Sequence, residues 1–412
     1  MKNSINYEAF EMMFGISEPL YIANIETKHA EREMHIYVDF RKGSRFLCPK
    51  CGCEGNPVNN TEAKVWRTLD MHHYKSWIHF RTPYISCTSG KCGTPLWTPP
   101  WSNAGSKFTI HFEAFVIQLV HSGMPVSEVA ALVGGVHDTQ LWRFINAYVA
   151  KEYENKDYSD STRLSFDETS NKKGHKYFLI VTDLDKRKVI NVGIGKDTAA
   201  FNAVITELKK HGLQPEKVKE VSIDMSAAFI KGVKENLPNA QITFDKFHII
   251  KPLNEALDKI RKQESVSGDG LKNKRWCLLK NYNNLTTTQK EDLPLIIKQY
   301  PKLGRAYRMV QVFKDIFRYS TTRKDAENRV KKWLDWAVRS RLEPIKKFAR
   351  TVKSHWEGFM RYFDSRITNG LAEGFNSIIQ NIKRTARGYK NTDYFITMIY
   401  LRLADLKLPL PQ

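Results

Sequence analysis

The sequence predicts an α/β protein of several modules: a central α/β sheet interrupted by an all-α insertion, preceded by a small cysteine-bearing β region and a three-helix unit. Three observations lead there. Between Arg163 and Gly195, three short β-rich runs (Leu164 to Phe166, Tyr177 to Thr182, Val189 to Ile194) are separated by turn-forming, charged segments, Thr169 to Gly174 and Asp183 to Lys188. A helical run, Thr198 to Lys210, and an apolar strand, Val218 to Ile223, follow, so antiparallel strands lead into a β-α-β step. Residues 252–365 then read as wholly helical, with punctuation at Ser265 to Gly270.

Composition narrows the class. A chain of 412 residues with 42% hydrophobic content has material for several cores. Lys and Arg number 65 against 44 Asp and Glu, a net charge of +21 spread over all segments, so a polyanion is the natural partner. No apolar run approaches the roughly 18 residues of a membrane span, and MKNSINYEAF lacks an apolar signal core. The expectation is a cytoplasmic, nucleoid-associated protein with no membrane partner, whose reduced cysteines favour metal over disulfide.

At the start, a short helix (Tyr7 to Phe14) precedes two alternating, strand-like runs, Tyr21 to Glu26 and Met34 to Phe40. Then comes Cys48-Pro-Lys-Cys51-Gly-Cys53, with a second pair, Cys87 and Cys92, beyond strand-like segments around Trp66 and from Trp77 to Ile85. A CxxC knuckle with Gly after its second Cys, matched to a later pair, suits tetrahedral thiolate coordination of one structural Zn²⁺. Cys53 rivals Cys51, and unpaired core thiols are the plain alternative. Cys277, alone in a helical region, reads as buried packing.

From Thr109 to Ala150 the period becomes helical: Phe112 to His121, a break at Ser122-Gly123-Met124-Pro125, Val126 to Val133, a break at Gly134-Gly135, then Asp138 to Val149. This pattern fits a helix-turn-helix whose third helix enters the major groove, with Thr139, Gln140, Arg143 and Asn146 as exposed reading side chains; an ordinary three-helix unit is the alternative. The polar segment KEYENKDYSDST, 151–162, reads as a linker.

In the central sheet the first strand is expected to end in Asp167 and the strand Val218 to Ile223 in Asp224, before a helix starting near Ser226. Carboxylates closing two strands point to a cation site at the sheet edge. Its third member is Glu373, on a helix where Leu371, Phe375, Ile378, Ile379, Ile382 and Ala386 share one side and Glu373, Asn376, Gln380, Lys383, Arg384 and Arg387 the other. An acid at the start and cations further along suit a metal and then a phosphate backbone, which makes Lys383, Arg384 and Arg387 DNA-binding candidates. Each acid also has a structural role open to it: a turn for Asp167, a cap for Asp224, a favourable first-turn charge for Glu373. Glu168, Asp183 and Asp185 are rival acids nearby. After a strand at Gln241 to Phe244, Asp245 can cap the helix Lys246 to Lys262. In the helical block, Trp333 and Trp336 at i, i+3 read as core.

SFDET around Asp167, SIDMSAAF around Asp224, DKFHIIK at 245–251 and TNGLAEGFNSIIQNIKRTARGYKN resemble the catalytic blocks of the ISL-three family of bacterial insertion-sequence transposases. The resemblance extends over nearly the whole chain. It implies a ribonuclease H-like catalytic domain of DDE type interrupted by an all-α insertion, preceded by a zinc ribbon (Cys48, Cys51, Cys87, Cys92) and a helix-turn-helix. The implied layout is an N-terminal region over 1–108, the helix-turn-helix over 109–150, the catalytic domain over 163–251, the insertion over 252–365 and the final catalytic helices over 366–405. Two Mg²⁺ ions would neutralise charge at phosphorus and activate the attacking oxygen, with Asp167 bridging both, Asp224 completing one and Glu373 the other. Asp245 and His248 would lie just outside the ligands. Such an enzyme binds double-stranded DNA, the element's terminal inverted repeats and its target, and a homo-oligomer on DNA is expected. A catalytically idle DNA-binding descendant and a ribonuclease H-like nuclease or resolvase are the alternatives.

Overall fold

Strict alternation of buried and open side chains is what a half-buried strand requires, and Met34, Ile36 and Val38, like Ser76, Ile78 and Phe80, are the buried members of two such runs. A computed structural model, which describes residues 7–172, 176–265, 269–280, 282–367 and 370–408, makes both runs strands. The chain forms two compact units: Met1–Glu154 with Ile382–Arg402 and Leu406–Gln412, and Asn155–Asn381 with Leu403–Asp405.

In the first unit, α1 (Glu8–Phe14) precedes a sheet ordered β1 (Leu20–Lys28), β2 (Glu33–Phe40), β6 (Tyr74–Phe80), β5 (Lys64–Met71). Its core gathers Ile36, Trp66, Ile78, Phe80 and Trp101. A small antiparallel sheet, β3 (Phe46–Leu47), β4 (Glu54–Asn60) and β7 (Pro83–Cys87), carries the cysteines. The run from Trp77 to Ile85 is two strands, β6 and β7, because Pro83, with no N–H to give a ladder, starts the second. Three helices follow: α2 (Ile110–Ser122), capped by the Thr109 hydroxyl, α3 (Val126–Val133) and α4 (Asp138–Glu154). Buried Arg67 of β5 ties them to the sheet, donating to Val133 O at 3.1 Å with its guanidinium over Trp77 and Phe112. The last helix, α15 (Thr392–Leu403), joins this unit through Tyr394, whose ring stacks on Trp142 at 4.2 Å.

The second unit holds a five-stranded sheet ordered β10 (Lys188–Ile194), β9 (Lys176–Asp183), β8 (Arg163–Lys172), β11 (Glu220–Ile223), β12 (Gln241–Phe244). The first three strands are antiparallel, and β8, β11 and β12 are parallel. Phe166 of β8 packs on Phe201 of α5 (Thr198–Lys210) at 4.5 Å, and α6 (Ala227–Asn236) presses Gly232 against the same ring. The helical block comprises α7 (Lys246–Ser265), α8 (Arg275–Leu279), α9 (Thr287–Gln299), α10 (Pro301–Tyr319), α11 (Arg323–Arg339), α12 (Glu343–Ser354) and α13 (Trp356–Ser365). Phe313, Trp333, Phe348 and Phe359 form its aromatic centre. Helix α14 (Gly370–Thr385) follows. Among the described residues no helix is long and apolar enough to cross a membrane.

Several local expectations are corrected. The first strand of the sheet does not end at Asp167: β8 runs on to Lys172, because Thr169 pairs with Phe178 and Ser170 with Tyr177, and backbone pairing overrides the turn preference of these side chains. The rest of that expected turn, 173–174, lies outside the described residues, as do 266–268 of the helical block's punctuation and Thr368-Asn369 of the last motif. The segment 151–162 holds the junction between the two units, after Glu154, but it is ordered along its length. Its first residues complete α4, Tyr158 is buried beside His211, and Ser161 Oγ donates to Asp183 Oδ2 at 2.6 Å. Trp333 is core, its indole N–H donating to Met309 O at 2.8 Å, but Trp336 lies at the surface, three residues round the helix from that contact. Ile378 is likewise exposed at the margin of α14's apolar stripe.

Candidate functional site

Parallel register sets the level of each acid in the sheet. Ser165 pairs with Ser222 and Ile223 with Phe244, so one step beyond Ile223 and Phe244 the acids Asp224 and Asp245 leave β11 and β12 at the end of the sheet where β8 carries Asp167. Two parallel strands thus present carboxylates at their C-terminal ends, level with Asp167 midway along the neighbouring β8.

Helix α14 contributes Glu373 in its first turn, and its polar face lies along the outer half of β8. Asn376 Nδ2 donates to Asp167 Oδ2 at 2.8 Å, and Gln380 Nε2 donates to Thr169 Oγ1 at 2.9 Å and Ser170 O at 3.1 Å. The spacing 373, 376, 380 keeps these side chains on one face. Asn376 Oδ1 is buried with no hydrogen-bond partner among the described residues.

Asp167 is 6% exposed; its Oδ1 accepts the Glu168 N–H at 2.8 Å and lies 3.6 Å from His248 Nε2. Burial alone would lower the His248 pKa, yet the hydrogen bond and charge of Asp167, with Asp245 and Asp224, raise it overall. Burial raises Glu373, reinforced by the charges of Asp245 and Asp167. Burial also raises Glu168, with Asp224 and Asp167 adding to it and Lys196 opposing. Five carboxylates therefore share one field. They do not converge as the cysteines do: among the described residues the cysteine sulfurs are the one set drawn close enough to share an ion.

Of the rival acids, buried Asp183 accepts from Ser161 and from the backbone of Asp185 and Lys186, and Asp185 pairs with Arg163, so both serve the fold. Asp245 Oδ2 accepts the Phe247 N–H at 3.1 Å and the His248 N–H at 3.4 Å, which makes it the cap of α7. Asp224 is not a cap: its Oδ1 accepts the Ser226 N–H, and Ser226 is the residue at the cap position.

In the small sheet, Gly52 at φ +75° lets the first knuckle turn back, with Cys48 N–H donating to Cys53 O at 2.8 Å. The second knuckle begins where β7 ends at Cys87. The sulfurs of Cys48, Cys51, Cys87 and Cys92 all lie within 4.8 Å of one another, and Cys53 stands outside the group. The Cys53 backbone N–H, with Cys87 and Cys92, brings the Cys51 thiol down to about 6.

On α4, Thr139, Gln140 and Arg143 are exposed, and Gln140 Oε1 also accepts the His137 N–H. Asn146 is only half-buried rather than exposed, its Oδ1 enclosed, because it lies one turn from Trp142 and Val149 on the buried face. Lys383 is half-buried and Arg384 exposed on α14; Arg387 is exposed beyond the helix end, at φ 54°. The contacts of Asn376 and Gln380 were not anticipated, although their place on the polar face was the signal for them.

Comparison with known proteins bears on the same segments. Residues 164–399 match a family model described as a transposase, and residues 98–149 match one described as the helix-turn-helix domain of transposase family ISL3. The transposase for insertion sequence element IS1001 of Bordetella parapertussis is 26% identical over 86% of this chain and 88% of its own length. The transposase for insertion sequence element IS1557 of Mycobacterium tuberculosis (strain CDC 1551 / Oshkosh) is 24% identical over 98% of this chain and 97% of its own. The first match alone takes in more than half of the sequence, including every acid of the sheet edge and of α14, and the chain belongs to the ISL3 family of transposases.

Proposed function

We propose that this protein binds the terminal inverted repeats of its own insertion sequence and cuts and joins DNA at a DDE site formed by Asp167, Asp224 and Glu373. The observation that carries this reading is the hydrogen bond from Asn376 to Asp167, which spans 209 residues of sequence and ties the helix of the third acid to the strand of the first. The order of the five strands, three antiparallel and two parallel, supports a ribonuclease H-like assignment, with the helices of 252–365 as its insertion. The proposed layout is 1–108 for the zinc-ribbon region, 109–150 for the helix-turn-helix, 163–251 and 366–405 for the catalytic domain. Thr139, Gln140 and Arg143 would read bases, with Asn146 at their margin, and Lys383, Arg384 and Arg387 would hold phosphates of duplex DNA. Assembly as a homo-oligomer on the DNA belongs to the same reading.

The residues suit their metals. The carboxylates of the sheet edge, with Asn376 Oδ1, which has no partner among the described residues, offer the oxygen donors that a hard cation such as Mg²⁺ prefers, and the His248 imidazole lies beside them. Asp167, Asp224 and Glu373 would hold two such ions, which when bound stabilise charge at phosphorus and activate the attacking oxygen. Asn376 and the Glu168 N–H orient the Asp167 carboxylate, and His248, whose pKa the surrounding acids raise, faces the same oxygen as the Glu168 N–H. Four sulfurs in mutual reach suit a structural Zn²⁺ on Cys48, Cys51, Cys87 and Cys92.

The test is cleavage and strand joining on linear DNA carrying the element's ends. Asp167→Ala, Asp224→Ala or Glu373→Ala should each lower the rate by about a thousandfold or more, without adding when combined, while binding to the ends persists. Full activity of Asp167→Ala or Glu373→Ala overturns the assignment. An inactive Glu168→Ala beside an active Asp167→Ala moves the site by one residue. Cleavage without joining identifies a nuclease.

A further inference from the structure

Helix α7 leaves the sheet edge carrying a second pattern along its length. Ile249, Leu253, Ala256, Leu257 and Ile260 are buried, while the opposite stripe bears Phe247, Lys251, Asn254, Lys259 and Lys262 at i, i+4, i+7, i+12 and i+15. With Arg275 and Trp276 of α8 this stripe lines a groove of about 670 Å³. Large rings stand open along it: Phe247 is 53% exposed and Trp276 56%, far more than apolar packing leaves uncovered. Arg275 lies over the Trp276 ring at 5.3 Å. Asp258, at the groove floor, organises the cations, with Arg261 Nε at 2.8 Å, Lys262 Nζ at 3.5 Å and Arg275 Nε at 3.6 Å. Asn254 Oδ1 is buried with no hydrogen-bond partner among the described residues.

One end of this groove adjoins the acids. The Phe247 ring is 5.5 Å from that of His248, whose Nε2 is 3.6 Å from Asp167. From Phe247 to Lys262 the helix extends about 22 Å, room for several nucleotides. Two open rings beside Lys251, Lys259, Lys262 and Arg275, which outnumber the acids Glu255 and Asp258 of the lining, suit unpaired bases and their phosphates: rings stack on bases of any identity, and cations follow the backbone. A duplex offers phosphates to such a surface but no base face for the rings.

We infer that the α7–α8 groove holds single-stranded DNA, receiving the strand that leads away from the scissile phosphate with bases stacked on Phe247 and Trp276. The inference rests on the reading that Asp167 marks the reaction centre, because that fixes which strand enters. Occupancy of the groove can nevertheless be measured without any reaction.

The experiment uses the full chain in EDTA, with a fluorescent oligonucleotide of about fifteen thymidines as one probe and a blunt duplex carrying the element's end as the other. Phe247→Ala and Trp276→Ala should each weaken single-strand binding about tenfold and leave duplex binding within about twofold. Lys251→Glu with Lys259→Glu should reduce the slope of log K against log salt for the single strand by about 1.4. Matched circular dichroism melts establish that the variants fold, and photocrosslinking of a 5-iodouracil oligonucleotide to the unmutated protein should label α7 or Trp276. Unchanged single-strand affinity, equal losses on the blunt duplex, or crosslinks elsewhere overturn the inference. So does loss of polyglutamate binding with single-strand binding intact, which assigns the groove to an acidic polypeptide. Asp167→Ala should bind the single strand normally, so failure of the catalytic reading and failure of this one are distinguishable.

Discussion

The Asp167 carboxylate is set by its neighbours more than by its own place on β8. Asn376 holds one oxygen, and the Glu168 N–H and His248 face the other, so strand, helix α14 and helix α7 agree on one orientation. Asn376→Ala should release that carboxylate, lower cleavage about ten- to hundredfold and raise the Mg²⁺ concentration needed for half-maximal rate, while binding to the element's ends stays unchanged; a Mg²⁺ titration of the cleavage assay reads this. Acidity follows from the shared field. Because burial and neighbouring acids raise Glu373, it takes up a proton at a higher pH than an ordinary glutamate. Cleavage should therefore fall as pH drops through that raised value, and excess Mg²⁺ should move the fall to lower pH, since cation and proton compete for the same oxygens. A fall unaffected by Mg²⁺ would place the titrating group elsewhere.

At the level of elements, close approach decides which helix can lie on which strand. A Cβ at Gly358 of α13 would meet the Phe244 ring of β12 at 2.4 Å, so this helix reaches the sheet only with no side chain there. Gly358→Ala should destabilise by about 1–3 kcal/mol through overpacking. Gly374 of α14 is the contrast, with nothing within 4 Å of a built Cβ and an ordinary helical conformation. Gly374→Ala should stabilise by up to about 1 kcal/mol. Urea melts of the two variants check both signs, and a stable Gly358→Ala would mean that α13 shifts freely against β12.

Across the whole molecule the dominant quantity is the net charge of +21. Duplex binding should weaken steeply with salt, by about a thousandfold or more between 50 and 200 mM if six or more phosphates are contacted, as filter binding over that range would measure. The four-cysteine cluster matters at this scale because it joins the two knuckles that flank the small sheet of β3, β4 and β7. Elemental analysis should find one zinc per chain, and Cys48→Ser with Cys87→Ser should lose it together with the strand signal of this sheet. Zinc retained in full by the double variant would refute the site. Deleting 1–150 is a poor probe of recognition, because it strips Tyr394 of α15 of its stacking partner Trp142; substituting Thr139 and Arg143 is cleaner.

Most elements were legible in the chain itself, because period and punctuation are local. Helix α5 and strand β12 have the limits their patterns imply, and α3 ends where Gly134 and Gly135 follow, whereas the choice of Cys51 over its rival Cys53 needed the clustering of the sulfurs in space. What the chain could not disclose is non-local. That β8 continues past Asp167 depends on a partner strand, since Thr169 and Ser170 taken alone favour a turn. The depth of Asn146, the surface position of Trp336 and the tethering of Tyr158 depend on what packs beside them. Local pattern distinguishes the two faces of α14, but only tertiary packing brings Asn376 to Asp167 across 209 residues, because a hydrogen bond is decided by distance in space and sequence fixes neither partner's position.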